Sequence, residues 1–169
     1  MKLLFPVLLI LSVLAVSSCA EIDYNNILVT QVVDGDTLKL ANAQMVRLIG
    51  IDTPEMYESE KLYRDARRTG QDIGAIMAGG RESYQFTKQL VEHKKVSLEF
   101  DIEQTDKYGR LLAYVYLIDG TFINAEIIKQ GYAKLMSIPP NTKYADFFYE
   151  LYQQARANKR GLWKQAANY

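Results

Sequence analysis

Two acidic clusters lie close together in the sequence, and both are of a kind that can hold a hard cation. Asp34-Gly35-Asp36 separates two short apolar runs, and Asp52-Thr53-Pro54-Glu55 follows a third. The simplest interpretation of the first cluster is a tight turn between paired strands, with Gly35 free to adopt positive φ. Such a turn needs only one Asp or Asn beside the glycine, however. Two strand ends that both carry carboxylates can also converge on one cation.

The available donors favour calcium or magnesium over softer metals. Carboxylate oxygens suit these hard ions, whereas zinc and copper prefer His or Cys, and the chain contains one of each. An EF-hand loop is rejected, because Leu38 and Lys39 stand where that loop needs an oxygen ligand and its invariant glycine. With His93 as the only histidine, near a predicted helix end, the sequence disfavours Ser-His-Asp and Cys-His mechanisms. The catalytic base of any enzyme here is therefore expected to be a carboxylate.

Two arginines complete a set of side chains suited to phosphate chemistry. Arg47 lies between the acidic clusters, and Arg110 lies in the run T-D-K-Y-G-R-L-L-A-Y. Taken alone, Arg47 is first interpreted as a structural ion-pair partner of the carboxylates. Two guanidinium groups, a divalent cation and a free carboxylate can nevertheless hydrolyse a phosphodiester together. The cations stabilise the developing negative charge, and the carboxylate activates water.

The motifs around these residues closely resemble the staphylococcal nuclease (thermonuclease) family. They follow the family's order between Ile27 and Trp163, as V-V-D-G-D-T-L, R-L-I-G-I-D-T-P-E, F-T-K-Q-L-V-E, T-D-K-Y-G-R-L-L-A-Y, I-K-Q-G-Y-A-K and G-L-W. The resemblance implies a calcium-dependent enzyme that cuts DNA and RNA with little sequence preference and leaves 3′-phosphate ends. We expect it to act as a monomer.

The resemblance also implies which residues hold the metal. Asp36 and Asp52 would be direct calcium ligands, and Thr53 would add its backbone carbonyl. Asp34 would make a supporting contact.

A second set of roles concerns the reaction and the substrate. By resemblance, Glu55 polarises or deprotonates the attacking water. Arg47 and Arg110 hold the phosphate and stabilise its five-coordinate transition state. Lys107 and Tyr108 match positions that contact substrate phosphate in the family.

The chain departs from the family pattern in two places. After Lys134 the family carries a tyrosine pair near its base-binding pocket, but this chain has Leu135-Met136-Ser137-Ile138, which weakens the case for base stacking. The segment from Glu55 to Phe86 is longer than in the family, and its part 57–79 is interpreted as a long loop or a short exposed helix. It is a candidate wall for the substrate or a solvated surface with incidental charge. Its basic side chains are Lys61, Arg64, Arg67 and Arg68, and Tyr57 and Tyr63 could supply stacking.

The apolar patterns predict an α+β fold. Strands are predicted at 25–33, 37–40, 45–51, 96–102 and 111–118, and helices at 81–94, at 124–130 with Asn124 as the N-cap, and from Tyr144 onward. This order matches the fold that the resemblance implies, a five-stranded OB-fold β-barrel with about three α-helices.

The N-terminus has the form of an export signal, and we expect three parts: residues 1–19 as a signal peptide, 20–26 as a tether and 27–165 as the nuclease domain. Val16-Ser17-Ser18-Cys19 resembles a bacterial lipobox, in which Cys19 is lipidated. That would anchor the protein outside the cytoplasmic membrane, or in the periplasm or outer membrane. The alternative is cleavage after Ala20, which would release a soluble secreted protein. Either product lacks disulfides, since Cys19 is the only cysteine.

The overall charge and the set of candidate site residues both bear on function. The chain has 20 basic and 20 acidic residues, so attraction for nucleic acid must be local. Two alternatives to an active nuclease are a catalytically silent OB-fold that binds nucleic acid and a surface lipoprotein whose acidic loop binds calcium only for stability. Degenerate relatives usually lose an arginine or the glutamate. This chain keeps the whole set, which favours activity: Asp36, Arg47, Asp52, Glu55 and Arg110.

Overall fold

The structure is a computed structural model that describes residues 22–165, so the predicted signal peptide (1–19) and Cys19 lie outside the described residues. Its elements in chain order are β1 (Ile27–Asp34), β2 (Thr37–Leu40), β3 (Met45–Leu48), β4 (Gly50–Asp52), α1 (Glu60–Thr69), α2 (Ile73–Val91), β5 (Lys95–Glu99), β6 (Leu111–Leu117), α3 (Ile123–Lys129), β7 (Lys134–Met136), α4 (Ala145–Ala157) and a short 3-10 helix (Gly161–Gln165).

Five strands close into a barrel in the order β1-β2-β3-β6-β5, which confirms the predicted α+β fold. Neighbouring strands are antiparallel except β3 and β6, which run parallel. Apolar side chains that alternate along these strands fill the interior, and Val29, Leu38 and Val115 are among those with no exposed surface. Four α-helices, rather than about three, belong to residues 22–165.

The third predicted strand, 45–51, is divided. The chain leaves the barrel after Leu48, and Gly50 adopts φ of 83°. A side chain at Gly50 would also meet the ring of Phe148, since a Cβ would lie 2.5 Å from Phe148 Cε2. The strand that continues, β4, pairs with β7 in a separate two-stranded sheet that sequence patterns did not predict. Asp52 therefore lies on a strand outside the barrel.

The segment 57–79 is helical rather than a loop. Helix α1 begins after Ser59, whose side chain accepts a hydrogen bond from the Leu62 amide, and ends at Gly70 with φ of 70°. Helix α2 begins after Asp72, well before the predicted start at residue 81, and continues through Gly79-Gly80. The glycine pair was interpreted as the end of the segment, since glycine lowers helix propensity by about 1 kcal/mol. In the folded protein, α2 packs so closely against the Glu55 backbone at Gly80 that a side chain there has no room.

Asn124 is not the N-cap of α3, which begins at Ile123 after Phe122. Its side chain is fully buried, accepts a hydrogen bond from the Val115 amide over 3.0 Å and donates one to the Ile49 carbonyl over 2.9 Å. These bonds satisfy backbone groups of β6 and of the break between β3 and β4, where the regular strand pairing stops. Asn124 thereby fixes the position at which β4 turns away from the barrel.

The C-terminal part of the chain packs around aromatic rings. Helix α4 has the predicted amphipathic character, with Phe148 buried against the barrel core. Trp163 is buried and packs edge-on against Tyr152. None of the helices within residues 22–165 has the length and apolar character needed to cross a membrane.

Candidate active site

The Asp34-Gly35-Asp36 turn joins β1 to β2, as predicted, but Gly35 does not adopt positive φ. The glycine is required for another reason. A Cβ at position 35 would lie 2.7 Å from Thr53 Cγ2 and 2.7 Å from Thr53 Oγ1. Glycine therefore lets the first acidic cluster touch the second, which is the convergence that the sequence predicted.

Asp36 is the most enclosed carboxylate of the site, with 5% of its surface exposed. Its Oδ2 accepts hydrogen bonds from the Thr53 amide over 2.9 Å and from Thr53 Oγ1 over 3.2 Å. Its Oδ1 accepts one from the Thr37 hydroxyl over 3.2 Å. These bonds hold the carboxylate in one orientation and tie β2 to the end of β4.

Arg47 bridges the two acidic clusters. Its Nη1 lies 2.9 Å from Asp36 Oδ2, and its Nη2 lies 3.2 Å from Asp52 Oδ1. Only 13% of the Arg47 side chain is exposed, so the guanidinium holds a fixed position. Arg47 can therefore be both an ion-pair partner of the carboxylates and a phosphate-binding group. The two carboxylates hold its guanidinium in place, and that place is beside any phosphate bound at the site.

Lys61 is a member of the site that sequence reasoning placed in a surface segment. Its Nζ lies 2.9 Å from Asp52 Oδ1 and 2.7 Å from Glu55 Oε1, and it donates a hydrogen bond to the Thr53 carbonyl over 3.2 Å. Burial alone would lower the pKa of Lys61, but the carboxylates of Asp52 and Glu55 outweigh it and raise that pKa. The ammonium is therefore held in its charged form.

Asp34 lies beside the cluster of ion pairs that Arg47 and Lys61 form with the carboxylates, and it is not a member of that cluster. Its Oδ1 accepts a hydrogen bond from the Asp36 amide over 3.1 Å. Burial and the neighbouring Asp36 carboxylate raise the pKa of Asp34 to about 6. Asp34 thus orients the turn that carries Asp36, in keeping with the supporting contact that the resemblance implied.

Helix α2 positions both acidic clusters from behind. At Gly80 the helix touches the chain after β4, where a Cβ would lie 2.5 Å from the Glu55 carbonyl oxygen and 2.7 Å from the Met56 nitrogen. Two turns later, the Thr87 hydroxyl donates a hydrogen bond to the Gly35 carbonyl over 2.8 Å. Gly80 and Thr87 lie on one buried face of α2. The i, i+3, i+4 spacing of small residues was the signal for this face, but it was not used in the sequence interpretation.

Arg110 lies in a neighbouring loop, where its ion pair is with Asp106 rather than with Asp36, Asp52 or Glu55. Its Nε lies 2.7 Å from Asp106 Oδ2, and its guanidinium lies over the Tyr108 ring at 5.6 Å from the centroid. Lys107 lies over the same ring at 5.0 Å. Arg110 immediately precedes β6, and the β3–β6 register pairs Arg47 with Leu112. The loop therefore ends at the strand next to the one that carries Arg47.

A cavity with mixed polar and apolar walls extends from Asp52 toward Leu162 and Trp163 of the 3-10 helix. Arg68 lines its part near Asp52, together with Asp65 and Lys134. An adjoining open space of about 270 Å³ is bounded by Thr69, Gln71, Lys134, Tyr152, Arg156 and Trp163. Burial and the nearby Arg68 lower the pKa of Lys134. By contrast, Arg64 and Arg67 are exposed to solvent, so the four basic residues of the candidate substrate wall occupy three different environments.

The donor set suits calcium in its chemistry. Carboxylates of Asp36 and Asp52 and the Thr53 carbonyl are hard oxygen donors, and two protein cations, Arg47 and Lys61, already bind them. These oxygens therefore attract positive charge. Within residues 22–165, no group of three or more His, Cys, Asp or Glu side chains is arranged so that it could hold a metal by itself. A bound ion would need carbonyl, water or substrate oxygens as well.

A five-stranded barrel whose strand ends present carboxylates around a fixed guanidinium defines an OB-fold-like protein with a candidate phosphate site. The chain belongs to the staphylococcal nuclease family, since residues 45–165 match the family described as "Staphylococcal nuclease homologue". It is 34% identical over 151 residues to "Thermonuclease" of Staphylococcus intermedius, covering 88% of this chain and 82% of that protein. It is 35% identical over 138 residues to "Thermonuclease" of Staphylococcus hyicus, covering 80% and 73%. It is also 34% identical to "Endonuclease YncB" of Bacillus subtilis, covering 83% of this chain and 63% of that protein.

Proposed function

We propose that this protein is a calcium-dependent phosphodiesterase that hydrolyses DNA and RNA with little sequence preference and leaves 3′-phosphate ends. The observation that carries the proposal is the contact of Arg47 with both Asp36 and Asp52, beside the partly exposed carboxylate of Glu55. Membership of the nuclease family and the similarity to thermonucleases support it. A silent nucleic-acid-binding barrel would have no use for a carboxylate base held in the same cluster of ion pairs as this arginine.

The roles follow from the environment of each side chain. Glu55 can accept a proton from water, because 29% of its side chain is exposed while its backbone is held against Gly80. Arg47 presents its remaining N–H groups to a phosphate without moving, since the two carboxylates fix it. Arg110 can supply a second guanidinium from the adjacent loop. Together they stabilise charge on the five-coordinate phosphorus, and they do not form covalent bonds with it.

The Asp36 and Asp52 carboxylates and the Thr53 carbonyl would hold the calcium ion. When bound, calcium supplies positive charge that polarises the phosphate and lowers the pKa of a bound water. Lys107 and Tyr108 lie exposed beside Arg110 and would contact a neighbouring phosphate of the substrate. We propose that the enzyme works as a monomer on nucleic acid outside the cytoplasm.

The test is an activity assay of the purified protein on single-stranded DNA, duplex DNA and RNA, with calcium, with magnesium or with a chelator. We expect cleavage in calcium, little in magnesium and none in the chelator, with 3′-phosphate ends identified by mass spectrometry. Glu55→Gln should lower kcat by orders of magnitude and leave the unfolding transition nearly unchanged. Full activity in the chelator would contradict the calcium requirement. Tight binding of nucleic acid without any cleavage would support the silent barrel instead.

A further inference from the structure

Lys61 makes three short contacts with groups that the proposed function needs. Its ammonium lies among Asp52 Oδ1 at 2.9 Å, the Thr53 carbonyl at 3.2 Å and Glu55 Oε1 at 2.7 Å. The first two oxygens are proposed calcium ligands, and the third belongs to the proposed base. A lysine with three donors and no acceptor can satisfy all three oxygens at once.

The position of Lys61 is built into helix α1. Ser59 caps the helix, and its hydroxyl also donates a hydrogen bond to Glu55 Oε2 over 3.3 Å. Leu62, the next residue after Lys61, has no exposed surface and anchors the first turn. The cap and the anchor together point Lys61 at the carboxylates, whereas Arg64 in the same helix is exposed.

The charges of the group show why a cation is held there. Asp36, Asp52 and Glu55 bring three negative charges together, and Arg47 lies between the first two. Lys61 lies between the last two and supplies the second positive charge. A divalent ion bound to the same oxygens of Asp52 and Thr53 would lie close to the ammonium, and the two positive charges would repel each other.

We propose that Lys61 is a tethered competitor of the active-site metal and sets the calcium affinity of the enzyme. Its ammonium holds the Asp52 and Thr53 oxygens when calcium is scarce and neutralises Glu55 at the same time. Calcium binds when the Lys61 ammonium swings away from these oxygens, and the same movement releases Glu55 to act as a base. This inference rests on the proposed function for the identity of the ion.

The test measures calcium binding to purified full-length protein by isothermal titration calorimetry in the absence of nucleic acid. Four proteins are compared: wild type, Lys61→Met, Lys61→Arg and Arg64→Met. The apparent calcium affinity equals the intrinsic affinity multiplied by the fraction of molecules whose site is free of the Lys61 ammonium. We therefore expect Lys61→Met to bind calcium about tenfold or more tightly than wild type. Arg64→Met removes the same charge from the exposed face of α1 and should change the affinity by less than about twofold, since exposed charges are screened. Lys61→Arg keeps the charge and should stay near wild type.

A second readout follows the wild-type protein alone and does not depend on the folding of any variant. Hydrogen exchange in the first turn of α1 should become faster when calcium is added, because Lys61 loses its partners, while exchange in the middle of α2 should not. Equal calcium affinity of wild type and Lys61→Met would overturn the role of Lys61 and leave the calcium-dependent nuclease intact. An equal gain in Lys61→Met and Arg64→Met would overturn it also, since only net charge would then matter. Absence of calcium binding in all four proteins would overturn both proposals.

Discussion

Gly80 of helix α2 lies directly against the backbone of Glu55, so that a Cβ at position 80 would lie 2.5 Å from the Glu55 carbonyl oxygen. The proposed base is thus held through its main chain by a helix whose sequence looked too rich in glycine to be continuous. We expect Gly80→Ala to push α2 away from Glu55, to lower the free energy of unfolding by about 1–3 kcal/mol and to lower kcat by about 100-fold. Gly79→Ala is the matched control. Its Cβ would meet the flexible Leu162 side chain at 3.1 Å, so stability and kcat should remain near wild type. Thermal unfolding and steady-state kinetics check both, and equal losses in the two variants would contradict this account.

Replacement of either proposed phosphate-binding arginine by lysine should lower turnover by orders of magnitude. Arg47 contacts Asp36 and Asp52 with two different nitrogens, and a single ammonium cannot reproduce that fork while it also faces a phosphate. For Arg110, lysine would keep the pair with Asp106 but lose the planar group over Tyr108. Arg81→Lys, at an exposed position of α2, serves as the control and should be neutral. Near-normal kcat in Arg47→Lys or Arg110→Lys would argue against clamping by two N–H groups.

Basic side chains of helix α1 other than Lys61 offer a local electrostatic path for the substrate. Arg68 lines the cavity beside Asp52, while Arg64 and Arg67 face solvent on the same helix. We expect their combined replacement by glutamine to raise KM and flatten its salt dependence while kcat at saturating substrate is kept. Neutralising Lys94 and Lys95, two exposed lysines between the end of α2 and the start of β5, removes two positive charges elsewhere and should change KM less. If both sets of variants shift KM equally, α1 has no special role in substrate binding.

Glu99 should contribute to stability above its unfolded pKa. Burial alone would raise its pKa, but hydrogen bonds from Lys143, Tyr116 and Tyr144 outweigh burial and lower it below the ordinary value of 4.5. The folded state therefore binds this proton less readily than the unfolded state does. The contribution is present above pH 4.5 and is lost as the pH falls through the folded pKa. We expect Glu99→Gln to cost about 1 kcal/mol at pH 7, and less as the solution is acidified. Urea unfolding between pH 3 and 7 measures this, with exposed Glu150→Gln as the control. A cost independent of pH would contradict the assignment.

Cys19→Ala should change membrane attachment and leave catalysis unchanged. We expect lipidated Cys19 to carry the protein into the detergent phase of a phase-partitioning assay. The alanine variant should then appear in the aqueous phase or in the medium, with the same kcat and KM on DNA. Identical partitioning of the two proteins would favour ordinary secretion after cleavage at Ala20.

The sequence was sufficient to predict the barrel and to bring Asp36, Arg47 and Asp52 together. Short alternating strands and turn residues carry that information locally, and family motifs carry the rest. Lys61 was assigned to the correct segment but not to the site, because its contacts depend on how α1 folds back over Thr53. The Gly79-Gly80 pair was misinterpreted for a related reason. Helix propensity is a local quantity, whereas the need for a bare backbone at Gly80 comes from Glu55, far away in sequence. Likewise, β7 is too short for any pattern to indicate it before its partner β4 is known.

The pairing of β4 with β7 also has a consequence for the order in which the protein is made. All five barrel strands have been synthesised once the ribosome has passed Leu117, but the strand that carries Asp52 still lacks its neighbour. Lys134, the residue opposite Asp52, emerges later, and Phe148, which contacts Gly50, emerges later still. A nascent chain therefore contains its barrel before it contains a supported active site. A nuclease would attack the cell's own nucleic acid. This order of synthesis therefore delays a supported active site until nearly the whole polypeptide has left the ribosome.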